Sequence, residues 1–210
     1  IKFRLANNGD DCVLFVESVD LPRLAGLSSW MLDFGFTLTQ EEPVYELEHV
    51  EFCQAKPVLT SCGYRMVRNP HTAMSKDCVS LVSWQTKSDI QAWAHSIAQC
   101  GLSLTSGVPV WESWYGQLLR LGEGRDVVGV SERISESGMF YMSQGVPRAV
   151  VTPECRVSFW RAFGITPDMQ EDLEALYDLP VTLAAVTPMM FSDIISLNRS
   201  HNPICLAPQA

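Results

Sequence analysis

Two short strand-like runs, Ile1–Leu5 with Ile, Phe and Leu at alternate positions and the continuously apolar Cys12–Val16, flank the hexapeptide Ala6-Asn7-Asn8-Gly9-Asp10-Asp11. Alternation is the period of a β-strand, and Asn, Gly and Asp are the residues that tolerate a tight chain reversal. The pattern predicts a β-hairpin with adjacent carboxylates near its tip. Asp10 and Asp11 are catalytic and metal-ligating candidates, because neighbouring carboxylates do not easily both stay ionised unless cations neutralise them. Paired Mg2+ or Mn2+ ions, roughly 3.5–4 Å apart, do this while activating an attacking hydroxyl and stabilising a leaving pyrophosphate. Gly9 lets the backbone turn with no side chain in the way. Asn, Gly and Asp are also what ordinary hairpin turns are made of, so the bare Gly-Asp-Asp leaves both readings open.

Beyond the hairpin, Asp20 can cap a helix whose first turn holds Pro22 and whose face carries Leu24, Leu27, Met31 and Phe34, with Gly35 as its stop. Val50–Gln54 and Tyr64–Arg68 read as a second strand pair, joined through Pro57 and a turn at 60–63. The remainder is helical in pattern. A helix opening at Ser88 or Asp89 carries Ile90, Trp93, Ala94 and Ile97 and is ended by Gly101. Another starts at Pro109 and sets Val110, Trp114, Leu118 and Leu121 on one face before Gly122. Thr152-Pro153 and Thr166-Pro167 are two cap-then-proline starts, heading helices with Val157, Trp160 and Phe163, then Met169, Leu173, Leu176 and Tyr177. Residues 135–145 read as a loop and the Pro-bearing C-terminal tail as poorly ordered. The fold class expected is therefore α+β, antiparallel hairpins plus a helix followed by a mostly helical remainder.

Composition narrows the function classes. With 47% hydrophobic and 19% charged residues the chain has the make-up of a folded globular protein. No apolar run approaches the roughly 18 residues that read as a membrane span. Nothing after Ile1 resembles a signal peptide, and the absence of an initiator Met suggests a fragment. The cysteines, at 12, 53, 62, 78, 100, 155 and 205, are odd in number and form no C-x-x-C pair. They are expected to be reduced, mostly buried thiols of a cytosolic protein rather than a disulfide framework or zinc site. His49, His71, His95 and His201 lie far apart and no Ser or Cys has an evident partner, which disfavours a hydrolase triad. No P-loop pattern is present.

A net charge of −9 argues against nucleic-acid binding at face value, but the distribution matters more than the total. From Phe52 to Lys76 there is no Asp or Glu, while Lys56, Arg65, Arg68 and Lys76 are all cationic. Such a window suits contact with backbone phosphates. The alternative is a solvated hairpin whose cations pair with the Glu-rich stretch 41–51 just before it. Tyr64, Trp84 and Trp93 can stack on bases, although most aromatics here lie at helical spacing with Leu and Ile and read as core.

The run Leu5-Ala6-Asn7-Asn8-Gly9-Asp10-Asp11-Cys12-Val13-Leu14-Phe15 resembles the catalytic hairpin of positive-strand RNA virus polymerases, and within them the tombusvirus and carmovirus group. Val50-Glu51-Phe52-Cys53-Gln54, Pro57-Val58 and Met66-Val67-Arg68-Asn69-Pro70 resemble that group's hairpin between palm and thumb, which grips the 3′ end of the growing strand. Ala73–Asp77, Cys100-Gly101-Leu102, Gly107-Val108-Pro109, Phe159-Trp160 and Phe163–Pro167 follow in the same order. The resemblance implies an RNA-directed RNA polymerase fragment. Residues 1–70 would form the end of the palm, and 71–210 a helical thumb and tail. It implies Mg2+ or Mn2+ at Asp10 and Asp11, with Asp10 the direct ligand. Gln54, Lys56, Arg68 and Lys76 would contact RNA. The implied partners are template and product RNA, nucleoside triphosphates, the fingers and remaining palm of the same polymerase, and viral replication proteins. The implied location is a membrane-associated replication complex in the host cytoplasm.

The family pattern is incomplete in this chain. A third carboxylate on an upstream strand and a ribose-selecting segment would both precede Ile1, so the fragment alone is expected to be inactive. Leu38-Thr39-Gln40-Glu41 stands where relatives carry a Lys able to protonate pyrophosphate. Either the proton comes from elsewhere or the register differs by several residues. The competing expectation is a non-catalytic remnant that binds RNA or protein through the basic hairpin.

Overall fold

The computed structural model describes residues 1–80, 86–122 and 138–180. Strands β1 (Phe3–Asn8) and β2 (Asp11–Val16) pair antiparallel, with Asn8 opposite Asp11. The expected hairpin is present and tighter than the turn-forming cluster suggested, because the reversal needs only Gly9 and Asp10. Gly9 has φ +68°, the left-handed value that a type II′ loop requires at its first position.

The first helical region differs from expectation. Asp20 lies inside a 3-10 segment, Ser18–Leu24, where it accepts a hydrogen bond from Arg23 at 3.0 Å instead of capping a helix. Helix α1 runs only over Leu27–Asp33. Its stop is as predicted. Gly35 takes φ +83°, its N–H reaches the Leu32 carbonyl and that of Phe36 reaches Met31, which together satisfy the last carbonyls.

The second hairpin also begins later than its apolar pattern suggests. Strands β3 (Ala55–Thr60) and β4 (Gly63–Arg68) pair with Lys56 opposite Val67 and Val58 opposite Arg65. Cys53 and Gln54, expected within a strand, instead form a two-residue turn. Phe52 and Ala55 close it with reciprocal backbone hydrogen bonds of 2.9 and 3.1 Å. Helix α2 (Pro70–Asp77) follows at once, capped by Asn69, whose side chain accepts from the His71 N–H.

The helical remainder packs on β3 and β4. Helix α3 (Lys87–Leu104) is opened by Thr86, not Ser88 or Asp89, in a reciprocal capping box with Asp89. Gly101 does not end it. The glycine sits inside the helix because a Cβ there would come within 2.1 Å of the Tyr115 ring, so its function is close approach of α3 and α4 (Trp111–Leu121). Helix α4 ends at Gly122 as predicted. A short helix, α5 (Gly138–Ser143), replaces the expected loop over its described part, with Met139 against the core. Helices α6 (Pro153–Phe163) and α7 (Pro167–Asp178) begin as the sequence predicts. Thr152 accepts from the Cys155 N–H and Thr166 from that of Met169, with proline at the first helical position of each. The expectation for the C-terminal tail falls outside the described residues.

A single apolar cluster joins Val58 and Val67 of the second hairpin to Trp111, Tyr115, Phe159 and Leu173 of the helices. Burying each such side chain contributes about 1.5–3 kcal/mol, so the second hairpin is anchored mainly by the helices that follow it. The architecture is α+β, as expected.

Candidate active site

The tip of the first hairpin meets the Cys53–Gln54 turn at the open end of the second. Asp10 is exposed at the β1–β2 reversal and Asp11 is half-buried beside it. The Asp11 carboxylate accepts a 2.6 Å hydrogen bond from the backbone N–H of Cys53, a residue 42 positions away in sequence. Asn8, opposite Asp11 in the register, donates from Nδ2 to the Cys53 sulfur at 3.2 Å. The acidic tip is thereby joined to the turn that opens the basic hairpin.

That turn holds an uncommon backbone. Cys53 has φ +52° and Gln54 φ +60°, the left-handed region that a type I′ loop demands at both central positions. Asn and Gly are the usual occupants, and other residues there store strain, which concentrates at functional sites. The Gln54 side chain projects from the turn and its Oε1 accepts from Lys76 Nζ at 3.1 Å. Gln54 and Lys76 are both exposed.

The four cations of the acid-free window divide. Arg65 spends its guanidinium on carbonyls, reaching those of Ser106 and Pro147 at 2.9 Å and two more at the C-terminal end of α3. This is a helix-capping and loop-pinning contact. Arg68 forms a two-pronged ion pair with Asp77, one arm at 2.8 Å. The Tyr115 hydroxyl donates to the same carboxylate at 2.6 Å and accepts from Arg68 at 3.1 Å. Burial would lower the Arg68 pKa, but the Asp77 hydrogen bond and charge more than offset it and hold it raised. Burial, then the Asp77 charge, pushes the Tyr115 phenol far up, so it remains a donor. Lys56 is half-buried and by register shares a face with Val58 and Val67. Lys76 alone of the four stands exposed at the meeting point of the two hairpins.

The expected pairing of these cations with the Glu41–Glu51 run is limited to other groups. Glu48 is 5% exposed and accepts from the Ser158 hydroxyl at 2.8 Å and from Tyr64 at 3.4 Å, while Glu46 lies 3.8 Å from Arg161. Of the aromatics considered for stacking, Tyr64 is exposed and Trp93 is buried in the core, and Trp84 lies outside the described residues. The cysteines are less buried than expected. Cys12, Cys53 and Cys62 are exposed on turns and on the open first hairpin, while Cys78, Cys100 and Cys155 are buried.

The fit to a metal follows from the donors. Neither Asp10 nor Asp11 is ion-paired with an Arg or Lys among the described residues. Asp10 is a free anionic donor, whereas one oxygen of Asp11 is occupied by an amide. Among the described residues no group of three or more His, Cys, Asp and Glu could enclose an ion. The pair thus offers part of a ligand set.

A family profile described as viral RNA-dependent RNA polymerase matches residues 1–183. The chain belongs to that polymerase family. The RNA-directed RNA polymerase of turnip crinkle virus is 41% identical over 201 residues, covering 93% of this chain and 26% of that protein. That of carnation mottle virus is 43% identical over 178 residues, covering 83% and 23% respectively. That of tobacco necrosis virus strain A is 41% identical over 181 residues, covering 85% and 25%. The chain therefore spans about a quarter of the length of these curated polymerases. No solved structure matches it. The resemblance to the tombusvirus and carmovirus group holds over most of the chain. No helix among the described residues is long and apolar enough to cross a membrane.

Asn8, Asp77 and Tyr115 are the contributors that residue-type reasoning did not single out. Asp77 had a signal, since it is the first acid after the long basic window. Asn8 and Tyr115 had none, because their partners are distant in sequence.

Proposed function

We propose that this chain supplies part of the catalytic palm and the thumb of an RNA-directed RNA polymerase that copies a positive-strand viral genome. The supporting observation is the contact between the Asp11 carboxylate and the Cys53 amide, which joins the hairpin tip carrying Asp10 to the turn carrying Gln54, itself bonded to Lys76. Nucleotidyl transfer needs these elements together: anionic ligands at the reacting phosphate and polar or cationic groups on the strand being extended. In this reading Asp10 holds Mg2+ or Mn2+ directly with Asp11 adjacent, and the ions supply charge neutralisation and activation of the 3′ hydroxyl.

Lys76 and Gln54 are the main RNA contacts of this reading. The Arg68 guanidinium, occupied by Asp77, acts chiefly by fixing β4 to α2, with Lys56 in a supporting position. The rest of the site belongs to upstream palm and fingers, so this chain alone is inactive. The whole enzyme takes nucleoside triphosphates and template RNA and works with other viral replication proteins at host cytoplasmic membranes.

The test is primer extension by the full-length parent polymerase. Asp10→Ala abolishes nucleotide addition while leaving primer–template binding within about twofold, as expected for a group needed chiefly in the transition state. Unchanged addition by the Asp10→Ala enzyme would refute the assignment. The reading also requires an Asp-bearing strand and a Ser/Thr-Gly-rich helix start in the coding sequence upstream of Ile1.

A further inference from the structure

We propose that Asp11 is a positioning residue, whose carboxylate fixes the Cys53–Gln54 turn against the acidic hairpin and so sets where an RNA 3′ end lies relative to Asp10. This rests on the polymerase reading above and assigns the adjacent carboxylates different tasks.

Three observations converge on it. Asp11 Oδ2 lies 2.6 Å from the Cys53 nitrogen, a short hydrogen bond from a backbone N–H to a carboxylate, a class stronger than one between neutral groups. Asn8, paired with Asp11 across the hairpin, holds the same residue through its sulfur at 3.2 Å, so one rung of the first hairpin grips the turn at two points. The gripped turn places Cys53 and Gln54 at φ +52° and +60°, a conformation that neither residue type favours and that persists only when its surroundings over-determine it. An oxygen already holding an amide proton is also a poorer cation ligand than the unencumbered carboxylate of Asp10. Lys76, bonded to the Gln54 side chain, extends the held unit towards solvent. The carboxylate thus acts on RNA through the turn rather than by touching it.

Asn at position 11 keeps an acceptor oxygen but loses the charge that a metal ligand needs, whereas Ala loses both. In the full-length polymerase with a defined primer–template, Asp11→Ala should raise KM for the RNA about tenfold, the scale of one lost charge-assisted hydrogen bond. Asp11→Asn should recover most of that loss. Neither variant should move the Mg2+ midpoint by more than about twofold, whereas Asp10→Asn should raise it strongly or abolish turnover. A Mg2+ midpoint shifted by Asp11→Asn as far as by Asp10→Asn would overturn the proposal.

Hydrogen exchange on the full-length polymerase supplies a readout independent of activity. The Cys53 amide should be protected in wild type and Asp11→Asn and exchange faster in Asp11→Ala. Equal protection in all three chains overturns the clamp. If Asp10→Ala instead leaves nucleotide addition intact, the polymerase reading fails, while the exchange result still decides whether Asp11 holds the turn.

Discussion

Asp77, the last residue of α2, closes on Arg68, the last residue of β4, through both carboxylate oxygens. The Tyr115 hydroxyl completes the group from α4. The Asp77 side chain is 8% exposed and that of Arg68 41%, so the carboxylate loses more on separation than the guanidinium. Arg68→Ala should therefore lower stability by roughly 2 kcal/mol, less than a fully buried pair because solvent screens the exposed arginine. Tyr115→Phe should cost about 1 kcal/mol, one hydrogen bond. Urea unfolding of the chain measures both. An Arg68→Ala chain as stable as wild type would free Arg68 for a direct role on RNA.

The same tyrosine sets a steric limit on α3. A Cβ at Gly101 would lie 2.1 Å from its ring, which is itself stacked on Trp111 at a centroid distance of 5.3 Å. The ring cannot swing aside without breaking its bond to Asp77. Gly101→Ala should destabilise by about 3 kcal/mol despite the higher helix propensity of alanine, because overpacking outweighs the ~1 kcal/mol propensity gain. A thermal melt of the variant gives the sign directly.

The thiols provide a test by pH. Burial pushes Cys78 up to about 12 and Cys155 up to about 11, from 9.0. Both groups keep their protons in the folded chain when the unfolded chain has lost them. Their stabilising contribution is present in full below about pH 9 and is lost as pH rises through the folded values, because the unfolded state then binds fewer protons. Denaturant midpoints should fall steadily above pH 9. At pH 8, alkylation mapped by peptide mass should modify Cys12, Cys53 and Cys62 and spare Cys78 and Cys155. Modification of Cys155 in the folded chain would contradict the packing beneath α6.

What was legible in the sequence is what is decided locally. The β1–β2 hairpin, the Thr152-Pro153 and Thr166-Pro167 starts and the Gly35 and Gly122 stops all depend on residues within a few positions of one another. Gly101 reads as a helix stop in the sequence because a glycine that ends a helix and one that admits a neighbouring ring look alike without the neighbour. The Cys53–Gln54 turn was hidden because neither residue favours positive φ, so tertiary context overrode local preference. Asp10 and Asp11 were visible as a pair, but their different surroundings were not. The Cys53 amide that separates them comes from another hairpin.

That hidden turn carries a trade between stability and function. Gln54 sits at φ +60°, where a Cβ costs roughly 1 kcal/mol and glycine costs nothing. Gln54→Gly removes that strain, and the greater freedom of glycine in the unfolded chain offsets only part of the gain. The substitution should raise stability by about 0.5 kcal/mol in urea unfolding. It also removes the Oε1 acceptor of Lys76, releasing the amine from the position in which the turn holds it. Primer–template affinity of the parent polymerase should then fall about threefold or more, the order expected when one pre-organised polar contact is lost. Strain retained at a cost to the fold is what a side chain selected for its contacts produces. A Gln54→Gly chain that is less stable than wild type would show that the turn is not strained in solution. Unchanged RNA affinity would show that the Gln54 side chain is not among its contacts.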